Sequence, residues 1–550
     1  MGKKGLVLGA SLGECVHVAG VQAFLRLAEM QGYQSVFLGP AVPIRDLISA
    51  IQETAPAIVG VSYRLTPETA APLLRQFVAA VEEAGLKGRC RFAFGGPEPV
   101  AQVARELGFF DAVFGGQERV EDVLAFLQGR KPMGKAEEDY PQTLLERLAW
   151  KSPYPLLRHH FGLPSLEATV AGIRRIAEAR ILDIISLGTD QDAQENFFHP
   201  ERQAPRRKGA GGVPVRSADD FRRLYAASRC GNFPLMRTYA GTADLLRQAQ
   251  VHLATINNCF CAVPLFWFSR LDGRGPLGVE ERVRASQEVM RWYAARDVPV
   301  ELNEPHHWSL RSAPDTVFVA AAFLSAYNAK QMGVRHYIAQ YMFNSPAGVS
   351  FTMDLAKILA SIDLVEELAD DQFTVHRETR TGLLSYPVEA AAAKGQLASS
   401  TMLQMAVEPE IVHVVAYCEA DHAATAEEVI ESCGLVRQVI ENALQGQPDL
   451  TLDPAVQARR EELKREARLL LKALQDLGPE AEDPWTDPAT LARAVRWGFL
   501  DAPELRPSEE AWGRIQTRVL DGACRAVDEA GHPLAEEKRL AQLWREVSQR

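Results

Sequence analysis

The chain has 550 residues, 47% hydrophobic and 24% charged, with a net charge of −11, so it reads as a soluble globular protein of two or three domains. The acidic balance without a long basic run argues against nucleic-acid partners, and no apolar run reaches the ~18 residues of a membrane span. Eight scattered cysteines without framework spacing point to a reduced cytoplasmic protein.

The start, Met1-Gly2-Lys3-Lys4, leads into a strand rather than a signal peptide. An apolar run from Gly5 to Leu8 enters the loop Gly9-Ala10-Ser11-Leu12-Gly13-Glu14-Cys15-Val16-His17-Val18-Ala19-Gly20, and an amphipathic segment from Val18 to Met30 leaves it. A strand, a glycine-bearing loop and a helix is the unit whose loops bind ligands at the carboxyl edge of open α/β sheets. The imidazole of His17 there has a nitrogen to offer a metal. A single His-x-x-Gly does not specify a ligand, and a surface-loop histidine is its ordinary reading. Two further loops change that reading. Ile58–Ser62 is a buried strand ending in a hydroxyl, and Phe92–Gly96 one ending in paired glycines. Both follow helical segments, so the three loops are expected at one edge of a doubly wound parallel sheet spanning residues 1–128.

On these residues the stretch from Lys4 to about Leu127 resembles the cobalamin-binding domain of adenosylcobalamin mutases, methionine synthase and corrinoid proteins. In that family an Asp-x-His-x-x-Gly loop supplies the lower cobalt ligand, and a Ser-x-Leu loop and a Gly-Gly loop line the slot for the displaced nucleotide tail. The resemblance implies a flavodoxin-like fold with His17 on cobalt, and Gly20, Ser62, Gly95 and Gly96 around the cofactor. Two positions depart from it. Cys15 stands where the family has its aspartate, with Glu14 beside it as the substitute carboxylate, and Arg64 stands for the leucine. A carboxylate orients a metal-bound imidazole and raises its basicity, so these changes bear on His17 as a ligand.

Residues 129–155 are polar and proline-bearing, including Lys131-Pro132-Met133-Gly134-Lys135, and read as a linker letting the first domain swing. A second strand–helix rhythm begins near Leu157. Candidate strands are Leu182–Leu187, Pro234–Tyr239, Ala262–Trp267, Pro299–Asn303, Tyr337–Tyr341, Gln372–Val375 and Ile411–Tyr417, with helices such as Gly278–Ala294, Val317–Gln331 and Glu427–Leu444. Seven or eight such units over residues 156–446 predict a (β/α)8 barrel of the TIM type, with its chemistry at the carboxyl ends of the strands. The interval His199–Ser217, with Arg206-Arg207-Lys208 and a glycine run, reads as a long flexible loop over that face. Its basic triplet is either solvent-exposed or a lid contact. Residues 447–550 read as a helical C-terminal region, with a charged helix packed on the barrel and a tryptophan-bearing tail as a small cap or interface.

From Leu157 onward the order of segments is similar to the large subunit of glutamate mutase (methylaspartate mutase), a barrel that caps adenosylcobalamin. The segments are Pro234–Thr242, Arg291–Pro305, Val415–Gly434 and Leu491–Leu534. The resemblance implies an adenosylcobalamin-dependent carbon-skeleton mutase with both modules in one chain. The family's arginine claw for a dicarboxylate is altered. Its first position falls near His159 and His160 beside Arg158, and Tyr239 stands at another, two residues after Arg237. Gln191–Asn196 lies at a third, Asn257-Asn258-Cys259-Phe260-Cys261 replaces the substrate-facing segment, and Tyr417 and Asp421 occupy the ribose-holding positions. Without bidentate arginines glutamate is not the expected substrate.

By the strand-end rule, Glu304, His306 and His307 follow one strand, Gln340, Tyr341 and Asn344 another, and His376, Arg377, Glu378 and Arg380 a third. Glu304, His306, His307, His376 and Tyr341 are the candidate catalytic residues, expected to converge above a corrin ring; strand-end hydrogen bonding is the ordinary alternative for each. Cys259 and Cys261 with His252 have zinc-ligand chemistry but not the usual two-residue spacing, and read as buried thiols. The rivals to a radical isomerase are a methylcobalamin-dependent methyltransferase, without need of an adenosyl pocket, and a non-catalytic cobalamin sensor or carrier, without need of a barrel. The expected partner is a small-molecule substrate, with no nucleic acid or membrane, and a homodimer as the candidate assembly.

Overall fold

The computed structural model describes residues 4–116, 118, 120–130 and 136–548. The chain divides into two compact units, Met1–Asp139 and Tyr140–Arg550. The first alternates β1 (Leu6–Leu12), α1 (Ala19–Met30), β2 (Gln34–Val42), α2 (Ile44–Thr54) and β3 (Ile58–Ser62). It continues with α3 (Pro67–Glu83), β4 (Arg91–Gly95), α4 (Glu98–Glu106), β5 (Ala112–Phe114) and α5 (Val120–Leu127). All five strands are parallel in the order β2-β1-β3-β4-β5, the flavodoxin-like winding. β3 is buried along its whole length because helices cover both faces of such a sheet. Glycines in the strands set the helix spacing. A Cβ at Gly60 would lie 2.8 Å from the ring of Phe24 on α1, so only glycine lets α1 settle that close.

The second unit opens with α6 (Leu144–Lys151), then β6 (Leu156–Phe161), α7 (Leu166–Ala179), β7 (Ile184–Leu187) and α8 (Gln191–Glu195). There follow α9 (Ala218–Ala227), β8 (Leu235–Tyr239), α10 (Leu245–Ile256), β9 (Cys261–Ala262), α11 (Val279–Ala294) and β10 (Val300–Leu302). Next come α12 (Glu304–Ser309), α13 (Asp315–Gln331), β11 (His336–Phe343), α14 (Phe351–Glu366), β12 (Thr374–Thr381), α15 (Ala390–Gln404), β13 (Ile411–His413) and α16 (Ala426–Leu444). β6 to β13 close into a parallel eight-stranded barrel, β13 pairing with β6. The floor of its lumen is apolar: Leu156, Ile184, Leu235, Phe260, Ile338 and Ile411 pack with Leu144 of α6.

α6 falls inside the segment expected as a linker over 129–155. Residues from Tyr140 onward belong to the barrel unit, because Leu144 is buried and the Arg147 guanidinium donates to the carbonyls of Pro141, Asn232 and Phe233. Lys131–Lys135 of that segment lie outside the described residues. The interval 199–217 is not a loose lid. Arg216 makes an ion pair of 2.6 Å with buried Asp190, Arg207 pairs with Glu195 at 2.7 Å, and Val213 donates to Gly188. Of the basic triplet, Arg206 and Lys208 are exposed.

The C-terminal region carries α17 (Pro454–Leu477), α18 (Pro488–Arg496), a hairpin of β14 (Thr517–Leu520) and β15 (Ala523–Ala526), and α19 (Glu536–Val547). α17 buries Val456, Leu463, Ala467, Leu470 and Leu474 in the core shared with α13 and α14, as expected of a helix packed on the barrel, and Leu491, Val495, Phe499, Leu540 and Leu543 of the tail join the same core. Among the described residues no helix is long and apolar enough to cross a membrane.

Candidate functional site

In the first unit the loops after β1, β3 and β4 open on one cavity of about 690 Å³. His17, Gly20, Ser62, Gly95 and Gly96 all line it, with Val21, Phe24, Leu27, Val61, Phe94 and Phe114 as apolar walls. His17 is exposed and lines the cavity, so its imidazole is accessible to a ligand. The Ser62 hydroxyl is buried with no hydrogen-bond partner, and a Cβ at Gly20 or Gly95 would meet no protein atom within 4 Å. An apolar slot holding one unpartnered hydroxyl and one accessible imidazole, with glycine where its walls must stay thin, fits a cobalamin and its nucleotide tail.

Glu14 and Cys15 do not stand in for the carboxylate behind His17. Glu14 is exposed and outside the cavity lining. Cys15 is fully buried, with its Sγ accepting from the Arg64 N–H at 3.3 Å and lying 3.9 Å from His17 Nδ1. The thiol turns into the core because it is a small hydrophobe with little hydrogen-bonding power.

In the barrel, alternate residues of each strand face the lumen, and above the apolar floor they form a charged layer. Arg158 of β6 meets Glu301 of β10 at 2.7 Å and Glu378 of β12 at 2.6 Å. Arg237 of β8 is 3.2 Å from Glu301, and Gln340 of β11 donates to Glu301 at 2.8 Å. All five are buried, and the loss of water raises both carboxyl groups above their ordinary value despite the guanidinium beside them. Two of the arginines nearest the expected claw are therefore already neutralised by the protein's own glutamates. No short sequence pattern announces Glu301 as their partner. Its signal is a single charge in an apolar strand, Val300-Glu301-Leu302.

The next layer up is rich in imidazole. His160 stacks on Tyr239 with ring centroids 5.3 Å apart and lies 4.8 Å from His413, a residue that no sequence motif marks. His306 and His307 on α12 are 4.2 Å apart, and His307 packs against Trp267 and Phe268. Burial, with Arg380 among the neighbouring cations, holds His160, His306, His307 and His413 well below the ordinary histidine value, so they are neutral. Both side-chain polar atoms of Asn303, His306 Nδ1, His307 Nε2 and His413 Nδ1 are buried without a hydrogen-bond partner. Arg380 of β12 has no carboxylate within ion-pair distance among the described residues, unlike Arg158 and Arg237.

The remaining expected site residues have other partners or other places. Glu304 turns one carboxylate oxygen to the backbone N–H groups of Leu265 and Phe266, and burial pushes its carboxyl up to about 8. It holds the loop after β9. His376 is at the amino-terminal end of β12, bonded to His336 at 3.3 Å and Glu410 at 3.0 Å, the end of the barrel opposite the strand carboxyl termini. Tyr341 pairs in register with Thr379 and alternates with lumen-facing Gln340, so it points into the helical layer, where burial raises its hydroxyl above the ordinary tyrosine value. Tyr417 and Asp421 lie past β13, Tyr417 donating to Glu431 of α16 at 2.8 Å and Asp421 facing His422 at 2.9 Å. Cys259 and Cys261 are buried thiols pushed up to about 12 by desolvation, and His252 packs on Phe221 instead of near them.

Comparison with known proteins agrees with this division. The B12 binding domain model matches residues 5–125, and the Methylaspartate mutase E chain model matches residues 240–547. The lysine 5,6-aminomutase beta subunit of Acetoanaerobium sticklandii is 28% identical over 136 residues, covering 23% of this chain. The chain spans about half of that relative, 52% of its length. A cobalamin-binding protein from Desulfitobacterium hafniense DCB-2 is 25% identical over 23% of this chain and 57% of its own, with a TM-score of 0.20. The methanol:cobalamin methyltransferase complex of Methanosarcina barkeri is 24% identical over 24% of this chain and 49% of that one, with a TM-score of 0.21. Since the second family model covers more than half of the sequence, the chain belongs to the methylaspartate mutase E chain family, with a B12-binding domain ahead of the barrel.

Proposed function

We propose that the protein is an adenosylcobalamin-dependent isomerase acting on a small polar acid other than glutamate. The observation that carries this reading is the family's barrel joined in one chain to a B12-binding domain. Bound cobalamin would supply radical chemistry through its cobalt–carbon bond. His17 is the residue to hold the metal, and Ser62, Gly95 and Gly96 border the space for the nucleotide tail. In the barrel, Arg380 is the guanidinium left to meet a substrate carboxylate, since Arg158 and Arg237 are engaged with Glu301. Neutral His306 and His307 and the amide of Asn303 offer unpaired polar atoms to the rest of the substrate. A substrate with one carboxylate suits this set better than the dicarboxylate a full claw would take. The closed wall of strands and apolar floor keep water from the reacting centre.

The test is the absorption spectrum of the full chain with adenosylcobalamin or methylcobalamin added, beside His17→Ala. A histidine-ligated spectrum with adenosylcobalamin, lost in the variant, is expected. Marked preference for methylcobalamin would move the barrel to methyl transfer, and binding of neither would remove the basis for any cobalamin chemistry.

A further inference from the structure

At the carboxyl end of β13 the chain makes a turn in which Cys418, His422 and Glu428 have no part in the cobalamin reading. Cys418, His422 and Glu428 converge there, with the Cys418 sulfur, a His422 ring nitrogen and a Glu428 oxygen all within 4.8 Å of one another. We propose that these three residues form a binding site for a divalent ion of the zinc type.

The donors are held from several directions. Cys418 is buried, only 6% exposed, and its position is set by the turn in which the N–H groups of Asp421 and His422 donate to its carbonyl. Glu428 is the third residue of α16. One of its oxygens accepts from the backbone and hydroxyl of Thr425 at 2.9 and 2.8 Å, which anchors the carboxylate and leaves the other oxygen aimed at His422 Nε2, 2.9 Å away. On the opposite side of the ring, His422 Nδ1 lies 2.9 Å from Asp421 Oδ2. A carboxylate on the second ring nitrogen is the arrangement that fixes the tautomer and orientation of a metal-bound imidazole.

The chemistry of the set selects the ion. Thiolate sulfur, imidazole nitrogen and carboxylate oxygen together suit Zn²⁺, whereas Mg²⁺ and Ca²⁺ take oxygen ligands. Ligands on a tetrahedral Zn²⁺ at ~2.0–2.3 Å stand roughly 3.3–3.7 Å apart, so a small opening of the His422–Glu428 contact admits the ion. Asp421, Glu427 and Glu431 add negative charge around the turn, Glu427 being paired with Arg175 at 3.1 Å and Glu431 with Lys394 at 2.5 Å. Three protein ligands leave a fourth position for water or a ligand, and the site would clamp the β13–α16 turn across ten residues of chain.

The experiment uses the full-length chain, free of cobalamin so that corrin absorption does not interfere, and stripped with a chelator. It is titrated with Zn²⁺ against a chromophoric chelator, and with Co²⁺ as a spectroscopic probe. One equivalent of Zn²⁺ is expected, with a thiolate-to-cobalt charge-transfer band in the Co²⁺ form. The band should vanish in Cys418→Ser, and affinity should fall at least 10-fold in His422→Gln and about 10- to 100-fold in Asp421→Asn. His422 is 49% exposed, so its replacement leaves the core intact, and far-UV circular dichroism with a thermal midpoint checks folding of each variant. Failure of the wild-type chain to take up micromolar Zn²⁺ would overturn the proposal. So would binding that Cys418→Ser and His422→Gln both retain, since the ion would then lie elsewhere.

Discussion

Glu304 illustrates what one buried carboxyl does to the barrel. Burial raises it from 4.5 to about 8, although two backbone N–H groups favour its charged form. The folded protein therefore holds a proton that the unfolded chain releases between those values. Stability from this group is complete below about pH 4.5 and is lost as the pH rises through about 8. Glu304→Gln keeps an acceptor for Leu265 and Phe266 but cannot ionise. Urea midpoints measured from pH 5 to pH 9 should decline less steeply in the variant than in the wild type; equal slopes would place the titrating group elsewhere. Burial holds His306 and His307, close by, well below the ordinary histidine value, which favours their neutral form and leaves their unpaired nitrogens as hydrogen-bonding groups.

At the scale of elements, α6 matters more than its eight residues imply. Leu144 fills the apolar floor between Leu156, Ile184, Leu235 and Ile411, and the buried Lys151–Asp183 pair at 2.5 Å ties the helix to β7. Leu144→Ala should cost about 2–5 kcal/mol of stability in urea unfolding, through the cavity it leaves. Cobalamin uptake by the first unit should be unchanged, as the residues lining its cavity all lie between His17 and Val123. β12 teaches a related lesson. It runs Thr374–Thr381 rather than Gln372–Val375, because a strand carrying Glu378 and Arg380 into the lumen has no apolar run to mark it.

At the scale of the whole molecule, the apolar clusters of the first unit contain only residues from Leu6 to Leu127, and those of the second begin at Leu144. A unit with its own core folds alone. Residues 1–139 expressed separately are expected to fold and to bind cobalamin as tightly as the full chain, read by absorption titration. A fragment that is unfolded, or that binds at least tenfold more weakly, would show that the barrel unit contributes to the site.

The amino-acid sequence by itself marked a doubly wound unit followed by a barrel, and the three loops that meet on the first unit's cavity. Those features are written in neighbouring residues: apolar runs, amphipathic helices, and glycines at Gly20, Gly95 and Gly96. It also marked the barrel through strands such as Leu182–Leu187 and Pro234–Tyr239, whose apolar runs are local. Only the tertiary structure decided the barrel's interior. Arg158 meets Glu301 and Glu378 across 143 and 220 residues of chain, pairs that exist only once the sheet closes. Closure also sets which side of each strand faces inward, sending Gln340 to the lumen and Tyr341 to the helices, and His376 to the end away from the candidate site. A one-residue change of phase reverses that choice and leaves no mark in composition or spacing.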